Sequence, residues 1–304
     1  MLRRVVQEYI TSKISPEQVF IDEPMKNHTT FKVGGEADAL IRIKAPEELV
    51  TLVSYFDKVE QPYFIKGNGS NILVSDKGYR GVILEIADGF NDIRVDGDTI
   101  TAQAGALMGS IARVAMENGL TGMEFASGIP GTIGGGVVMN AGAYNGELKD
   151  VVSSVTVMNN AGERITLNND NMKFGYRYSV VKDRPFVVLS VTIKLKNGDK
   201  DTIKNTMDDL NRRRREKQPL EFPSAGSTFK RPEGYFAGKL IMEAGLRGYS
   251  LGGAAVSNKH CGFVINTGTA CAADIYELII EIQERVYSRF RVRLEPEIIF
   301  LGFD

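Results

Sequence analysis

The run from Glu47 to Lys58, which follows Pro46, places Leu49, Leu52, Val53 and Phe56 on one face at helical spacing and predicts a helix. Short strand-like runs come next at 62–66, 71–75 and 81–86, then a hairpin about Asp96-Gly97-Asp98. A second helix is predicted from Met108 to Asn118, stopping at Gly119. Small strands alternating with helices in this way indicate an α+β domain of two lobes, the N-terminal one covering about residues 1–85.

Farther along, strand patterns at 151–157 and 163–167 flank Asn159-Asn160-Ala161-Gly162, which supplies the residues a hairpin turn needs. Val187, Leu189, Val191, Ile193 and Leu195 alternate along what should be the last strand of the first domain, and Asn197-Gly198-Asp199 marks a turn. The expected division is therefore 1–198 and 199–304. The second part opens with a helix over about 202–216. It also carries a long helix over about 272–290, whose stripe of Ile275, Leu278, Ile279, Ile282 and Val286 reads as core, and strands are expected at 291–295 and 297–302.

Composition narrows the classes. A chain of 304 residues is long for one domain, and 43% apolar with 25% charged residues is ordinary for a globular protein. A formal net charge of -1 advertises neither nucleic acid nor membrane. The one basic run, Arg212-Arg213-Arg214-Arg215, is diluted by Asp208, Asp209 and Glu216 and reads as a solvated helix end. Cys261 and Cys271 are the only cysteines and His28 and His260 the only histidines, which is neither a disulfide framework nor a metal pattern and suits a reducing cytosol. MLRRVVQEYI lacks the apolar core and cleavage site of a signal peptide, and no window approaches a membrane span, so a cytoplasmic location is expected.

The chemistry is concentrated in two loops. Ser127 to Tyr144, SGIPGTIGGGVVMNAGAY, packs six glycines around Pro130 and Asn140 without one Asp, Glu, Lys or Arg. Absent side chains let backbone amides approach a phosphate or a flat ring, although a tight crossover between packed elements is an alternative use of the same glycines. The second loop, Gly67-Asn68-Gly69-Ser70-Asn71, begins like a dinucleotide fingerprint. Its third glycine position, however, is Ile72, and no amphipathic helix follows, so a Rossmann reading fails on context.

Together these loops resemble the flavin-binding region of the UDP-N-acetylenolpyruvoylglucosamine reductase family, and FGYRYS at 174–179, AGSTFKRP at 225–232 and LEPEIIFLG at 294–302 match in order and spacing. The resemblance covers nearly the whole chain. It implies a two-lobed FAD-binding domain of the vanillyl-alcohol-oxidase (PCMH-type) fold plus a C-terminal α+β substrate-binding domain. The implied FAD contacts are Gly67, Asn68, Gly69, Ser70, Asn71, Ser127, Gly128, Ile129, Pro130, Gly131, Thr132, Gly134, Gly135, Asn140, Ala141 and Gly142. Neither loop holds Cys or His, so the FAD is expected to be non-covalent.

The resemblance further implies reduction of an enolpyruvyl ether on a UDP-sugar, with NADPH as reductant. Arg177 would hold the substrate carboxylate, Ser227 would donate the proton, and Glu297 would act beside the reacting carboxylate. Thr228 and Glu295 are the nearby rivals for the last two roles, and a hairpin salt bridge is the plain alternative for Arg177. Tyr176, Lys217, Lys230 and Arg231 are the candidate UDP-sugar contacts, with surface solvation as the alternative for the three cations. Only seven residues separate Tyr178 from Phe186, which leaves no room for the extended tyrosine loop of longer family members. A monomer without metal is expected. The competing readings are an oxidase of the same fold and a flavin-binding module without catalysis.

Overall fold

A computed structural model describes residues 2–86, 88–159 and 161–303. The packing forms two compact units. One comprises Met1–Ile21, Ala39–Asn68 and Gly81–Arg213; the other comprises Asp22–Asp38, Gly69–Arg80 and Arg214–Asp304.

In the first unit the helix Pro46–Lys58 buries Leu49, Leu52, Val53 and Phe56, the predicted stripe. Its start is fixed by the Glu48 carboxylate, which accepts from the amides of Lys44 at 2.8 Å and Ala45 at 3.3 Å and so satisfies donors the helix cannot. Tyr55, on the same helix, stacks on Tyr9 of the helix Arg4–Lys13 with ring centroids 3.6 Å apart. The strand Tyr63–Lys66 runs parallel to the strand Tyr79–Ile86, pairing Tyr63 with Val82 and Lys66 with Glu85.

A five-stranded antiparallel sheet forms the rest of the unit, in the order Arg164–Asn168, Val152–Met158, Val187–Lys194, Thr99–Gln103, Ile93–Asp96. The predicted hairpin at 96–98 joins its last two strands. In the central strand Val191 and Ile193 are buried as the alternation requires, but Val188 is buried too. The helices Met108–Glu117 and Ile133–Val138 pack in this region, the second bringing the glycine loop against the Thr99–Gln103 and Val187–Lys194 strands. Of the turn expected at 159–162, Asn160 lies outside the described residues.

The second unit centres on the helix Ala272–Phe290, which buries Ile275, Leu278, Ile279, Ile282 and Val286 as its stripe predicts. A three-stranded antiparallel sheet, Ser250–Leu251, Ala254–Val256 and Val264–Asn266, packs on it. The strand Ile72–Val74 pairs in parallel with Ile299–Leu301.

One expectation is corrected. No strand forms at 291–295: Arg291 ends the helix in a left-handed conformation (φ 58°), the Leu294 carbonyl accepts from Gln283 Nε2 at 2.7 Å, and Pro296 has no amide to extend a ladder. The boundary between compact units differs from a cut at 198/199. It falls within the helix Lys200–Lys217, and segments 22–38 and 69–80 pack with the C-terminal residues. The cause is long-range pairing: Ile72–Val74 finds its partner at Ile299–Leu301, and Phe31 offers its carbonyl to Asn266 at 3.0 Å. Among the described residues no helix is long and apolar enough to cross a membrane.

Candidate functional site

In the first unit the glycine loop turns into the helix Ile133–Val138, capped by Thr132, whose hydroxyl accepts from the Gly135 amide at 3.4 Å. Several of its glycines are required by protein packing. A Cβ on Gly134 would lie 2.9 Å from Ala104 Cβ, one on Gly136 2.7 Å from Met108 Sδ, and one on Gly142 2.6 Å from the Gly146 carbonyl. Gly67 faces the Thr132 hydroxyl at 2.2 Å in the same sense. The tight-crossover use of glycine therefore operates here.

Gly135 is different: it is exposed, and a Cβ there would meet only Thr132 Oγ1, at 3.6 Å. Asn68 donates from Nδ2 to the Pro130 carbonyl at 2.7 Å, fastening the start of the 67–71 loop to the glycine loop. The Ser127 hydroxyl is buried with no hydrogen-bond partner. Among the described residues the amides of Gly128, Gly131 and Thr132 donate to no protein acceptor either. Orphaned donors grouped on a chargeless loop suit a ligand rich in acceptors, and the diphosphate of FAD is such a ligand.

Arg177 projects from a tight turn in the same unit. Gly175 and Tyr178 exchange backbone hydrogen bonds of 3.0 and 3.3 Å, and Arg177 between them adopts φ 53°, a left-handed conformation uncommon for a side chain of this size. Its Nη2 donates to the Gly142 carbonyl at 3.4 Å, and its guanidinium lies 5.2 Å from the ring centroid of Tyr176, which is 54% exposed. Asn140 is fully buried; its amide donates to Glu147 at 2.7 Å and to the Gly175 carbonyl at 2.9 Å, and its oxygen accepts from the Lys149 amide at 2.9 Å. Ile129 is half-buried, and the Ala141 amide and carbonyl are both engaged within the protein.

In the second unit Gly69 takes φ 63°, where a Cβ would strike the His28 carbonyl at 2.1 Å, and Ser70 follows half-buried. Asn71 donates from Nδ2 to the Glu297 carbonyl at 3.1 Å, and the Glu297 amide donates to the Thr228 carbonyl at 2.8 Å. The segments 227–230 and 295–297 therefore run beside each other, joined also by a bridge between Phe229 and Pro296.

The two hydroxyls separate clearly. Ser227 is exposed, whereas Thr228 is fully buried and accepts from the Val264 amide at 3.0 Å. Glu295 is exposed and forms an ion pair with Lys230 at 3.0 Å, and Glu297 is half-buried.

Among the cations, Lys217 is exposed at the end of its helix. Arg231 lies 4.0 Å from the Phe236 ring centroid and donates to the Tyr235 carbonyl at 3.3 Å. Arg212 and Arg213 both pair with Asp209 in the first unit, as a solvated helix end would. Just before the 67–71 loop in sequence, Lys66 is buried against Glu85, which also receives Arg42 Nε at 3.1 Å. Burial lowers the pKa of the Lys66 ammonium, and the Glu85 carboxylate opposes that shift.

Sequence reasoning missed Ser179, which ties down the end of the arginine turn, and Glu147, which accepts from the Asn140 amide. Ser179 is fully buried and donates to the Val138 carbonyl at 3.0 Å. The only hint was that Ser179 closes the FGYRYS segment.

Residues 37–168 match the family model described as FAD binding domain, and residues 218–301 match that of UDP-N-acetylenolpyruvoylglucosamine reductase, C-terminal domain. The UDP-N-acetylenolpyruvoylglucosamine reductase of Clostridioides difficile (strain 630) is 52% identical over 291 residues, 96% of each chain. That of Caldanaerobacter subterraneus subsp. tengcongensis is 52% identical over 285 residues, 94% of each. The crystal structure of UDP-N-acetylenolpyruvylglucosamine reductase from Thermus caldophilus superposes with a TM-score of 0.80 at 35% identity, covering 92% of this chain and 98% of that one. Wild-type Phl p 4.0202, a glucose dehydrogenase, superposes with a TM-score of 0.52 at 13% identity over 65% of this chain and 45% of its own, a likeness of fold alone. The α+β reading, with an FAD-binding domain of the PCMH-type fold and a distinct C-terminal domain, agrees with these similarities.

Proposed function

The chain belongs to the UDP-N-acetylenolpyruvoylglucosamine reductase family, a family of FAD-dependent oxidoreductases of peptidoglycan synthesis, and on that basis we propose that it reduces the enolpyruvyl ether of UDP-N-acetylglucosamine to UDP-N-acetylmuramate. The observation that carries this reading is the 52% identity over 291 residues, 96% of the chain. Non-covalent FAD, when bound, supplies the hydride to the terminal carbon of the enolpyruvyl double bond, and NADPH is the proposed reductant.

The residues of the chain then have to manage charge and one proton. Hydride addition leaves enolate charge spread over the substrate carboxylate, and the adjacent carbon must receive a proton. Arg177 is assigned to the carboxylate: its charge is permanent, its fork matches two oxygens, and its backbone is held in an uncommon conformation, as active-site residues often are.

Ser227 is assigned as proton donor. A serine hydroxyl is a weak acid, but an enolate is strongly basic and a positioned donor needs little driving force. The exposure of Ser227 beside a buried, engaged Thr228 supports this choice. Glu297 is assigned beside the reacting carboxylate as an acid or polarising hydrogen-bond partner, on its place in the segment LEPEIIFLG.

Tyr176, Lys217, Lys230 and Arg231 are proposed to contact the UDP-sugar. The Lys230 charge is already partly compensated by Glu295. UDP-sugar and NADPH are proposed to act in turn on a cytoplasmic monomer.

The test is the visible spectrum of the purified flavoprotein. NADPH should bleach it and the enolpyruvyl substrate should restore it; a spectrum that stays bleached refutes the substrate. Ser227→Ala should still be bleached by NADPH while turnover falls by about a hundredfold or more.

A further inference from the structure

We infer that Asn140 is a positioning residue for Arg177, fastening the turn Gly175–Tyr178 to the glycine loop so that the guanidinium keeps one direction, and that it does not itself touch the flavin. The inference rests on the carboxylate-binding role proposed for Arg177.

Asn140 occupies the end of the glycine loop and is fully buried. Both protons of its amide are committed, one to Glu147 Oε2 at 2.7 Å and one to the Gly175 carbonyl at 2.9 Å, and its oxygen accepts from the Lys149 amide at 2.9 Å. Both side-chain donors are therefore spent within the protein, and the one lone pair left on the amide oxygen belongs to a fully buried side chain. Its backbone takes φ 41°, a left-handed conformation that asparagine tolerates better than most residues.

The contact to Gly175 matters most, because Gly175 opens the turn whose next two residues are Tyr176 and Arg177. Glu147 is in turn steadied by Lys149 Nζ at 2.5 Å, an ion pair that raises the Lys149 pKa. Ser179 gives the far side of the turn a second anchor on the Val138 carbonyl. A left-handed arginine needs such restraint: released, the residue relaxes to an ordinary φ and its side chain swings away from the Gly142 carbonyl. Recognition of a carboxylate by a fork is sensitive to direction, so loosening the turn should weaken substrate binding more than flavin binding.

Asn140→Gly tests this in the FAD-loaded enzyme, since glycine keeps the left-handed backbone and removes only the side chain. The KM for the enolpyruvyl substrate should rise about tenfold or more, with flavin affinity within about threefold of wild type. Trypsin, followed by mass spectrometry, should cut faster after Arg177. Glu147→Ala should behave like Asn140→Gly, and Glu147→Gln, which keeps an acceptor for the Asn140 amide, should restore the slow cutting and the low KM. In an Arg177→Ala background Asn140→Gly should add no further loss of kcat/KM. Weakened flavin binding with unchanged tryptic cutting overturns the inference and makes Asn140 a cofactor contact. Faster cutting with an unchanged KM overturns the carboxylate role of Arg177, and this inference with it.

Discussion

Asp76 caps the helix that begins at Ala272: its two carboxylate oxygens accept from the amides of Ala272 and Ala273, each at 2.8 Å. Those are two of the orphan donors at the start of the longest helix in the second unit, and a negative charge there also meets the positive end of the helix dipole.

Asp76→Ala should therefore lower stability by about 1–2 kcal/mol in denaturant titration. Asp76→Asn keeps one acceptor oxygen and should lose less. Equal stability of all three proteins would refute the capping role.

Adjacent glycines should respond in opposite ways. Gly134→Ala places a methyl 2.9 Å from Ala104 Cβ and 3.0 Å from the Ala104 carbonyl, so the apoprotein should lose about 1–3 kcal/mol. Gly135→Ala has room for the methyl and should stabilise the apoprotein by up to about 1 kcal/mol through helix propensity. If the exposed Gly135 backbone receives the flavin, the same change should weaken FAD binding, measured by fluorescence titration. A Gly135→Ala protein with undiminished flavin affinity would show that Gly135 is not a contact.

Ser127→Ala removes a buried hydroxyl that has no protein partner. The apoprotein should melt no lower than wild type, because no internal hydrogen bond is lost, while FAD affinity should fall about fivefold or more, equivalent to about 1 kcal/mol. Comparing the melting temperature with and without FAD separates the two effects.

His260 predicts an acid-sensitive component of stability. Its Nδ1 accepts from the Gly262 amide at 3.1 Å, which requires that nitrogen to be unprotonated, and burial holds its pKa below the usual 6.5. Because the folded value lies under the unfolded one, this contribution is fully present above about pH 6.5 and is lost as pH falls through the folded value. His260→Gln, whose side-chain oxygen can still accept, should flatten the part of a melting-temperature profile that falls away below about pH 6.5. A wild-type slope in the variant would assign the effect elsewhere.

Much of the local structure was legible because each element obeys a short-range rule. The stripe Leu49, Leu52, Val53 and Phe56 gave its helix and the stripe from Ile275 to Val286 gave another, since both periods match 3.6 residues per turn. Arg177, Ser227 and Glu297 were legible only through resemblance, because a lone Arg in a turn or a Ser after Gly226 carries no signature of its own. The failed strand at 291–295 shows the limit: its apolar alternation was real, but Arg291 and the proline at 296 prevented a ladder.

The sequence alone determined the chargeless glycine loop, the helices and central strands, and the motif order that placed the chain beside its family. Tertiary structure decided which glycines pack against protein and which stay open, since only the neighbours of an absent Cβ distinguish Gly134 from Gly135. It also decided that Asn140 turns inward to hold Gly175, and that segments 22–38 and 69–80 join the C-terminal unit. Those facts depend on partners tens to hundreds of residues away, which no local pattern of apolar and polar positions can encode.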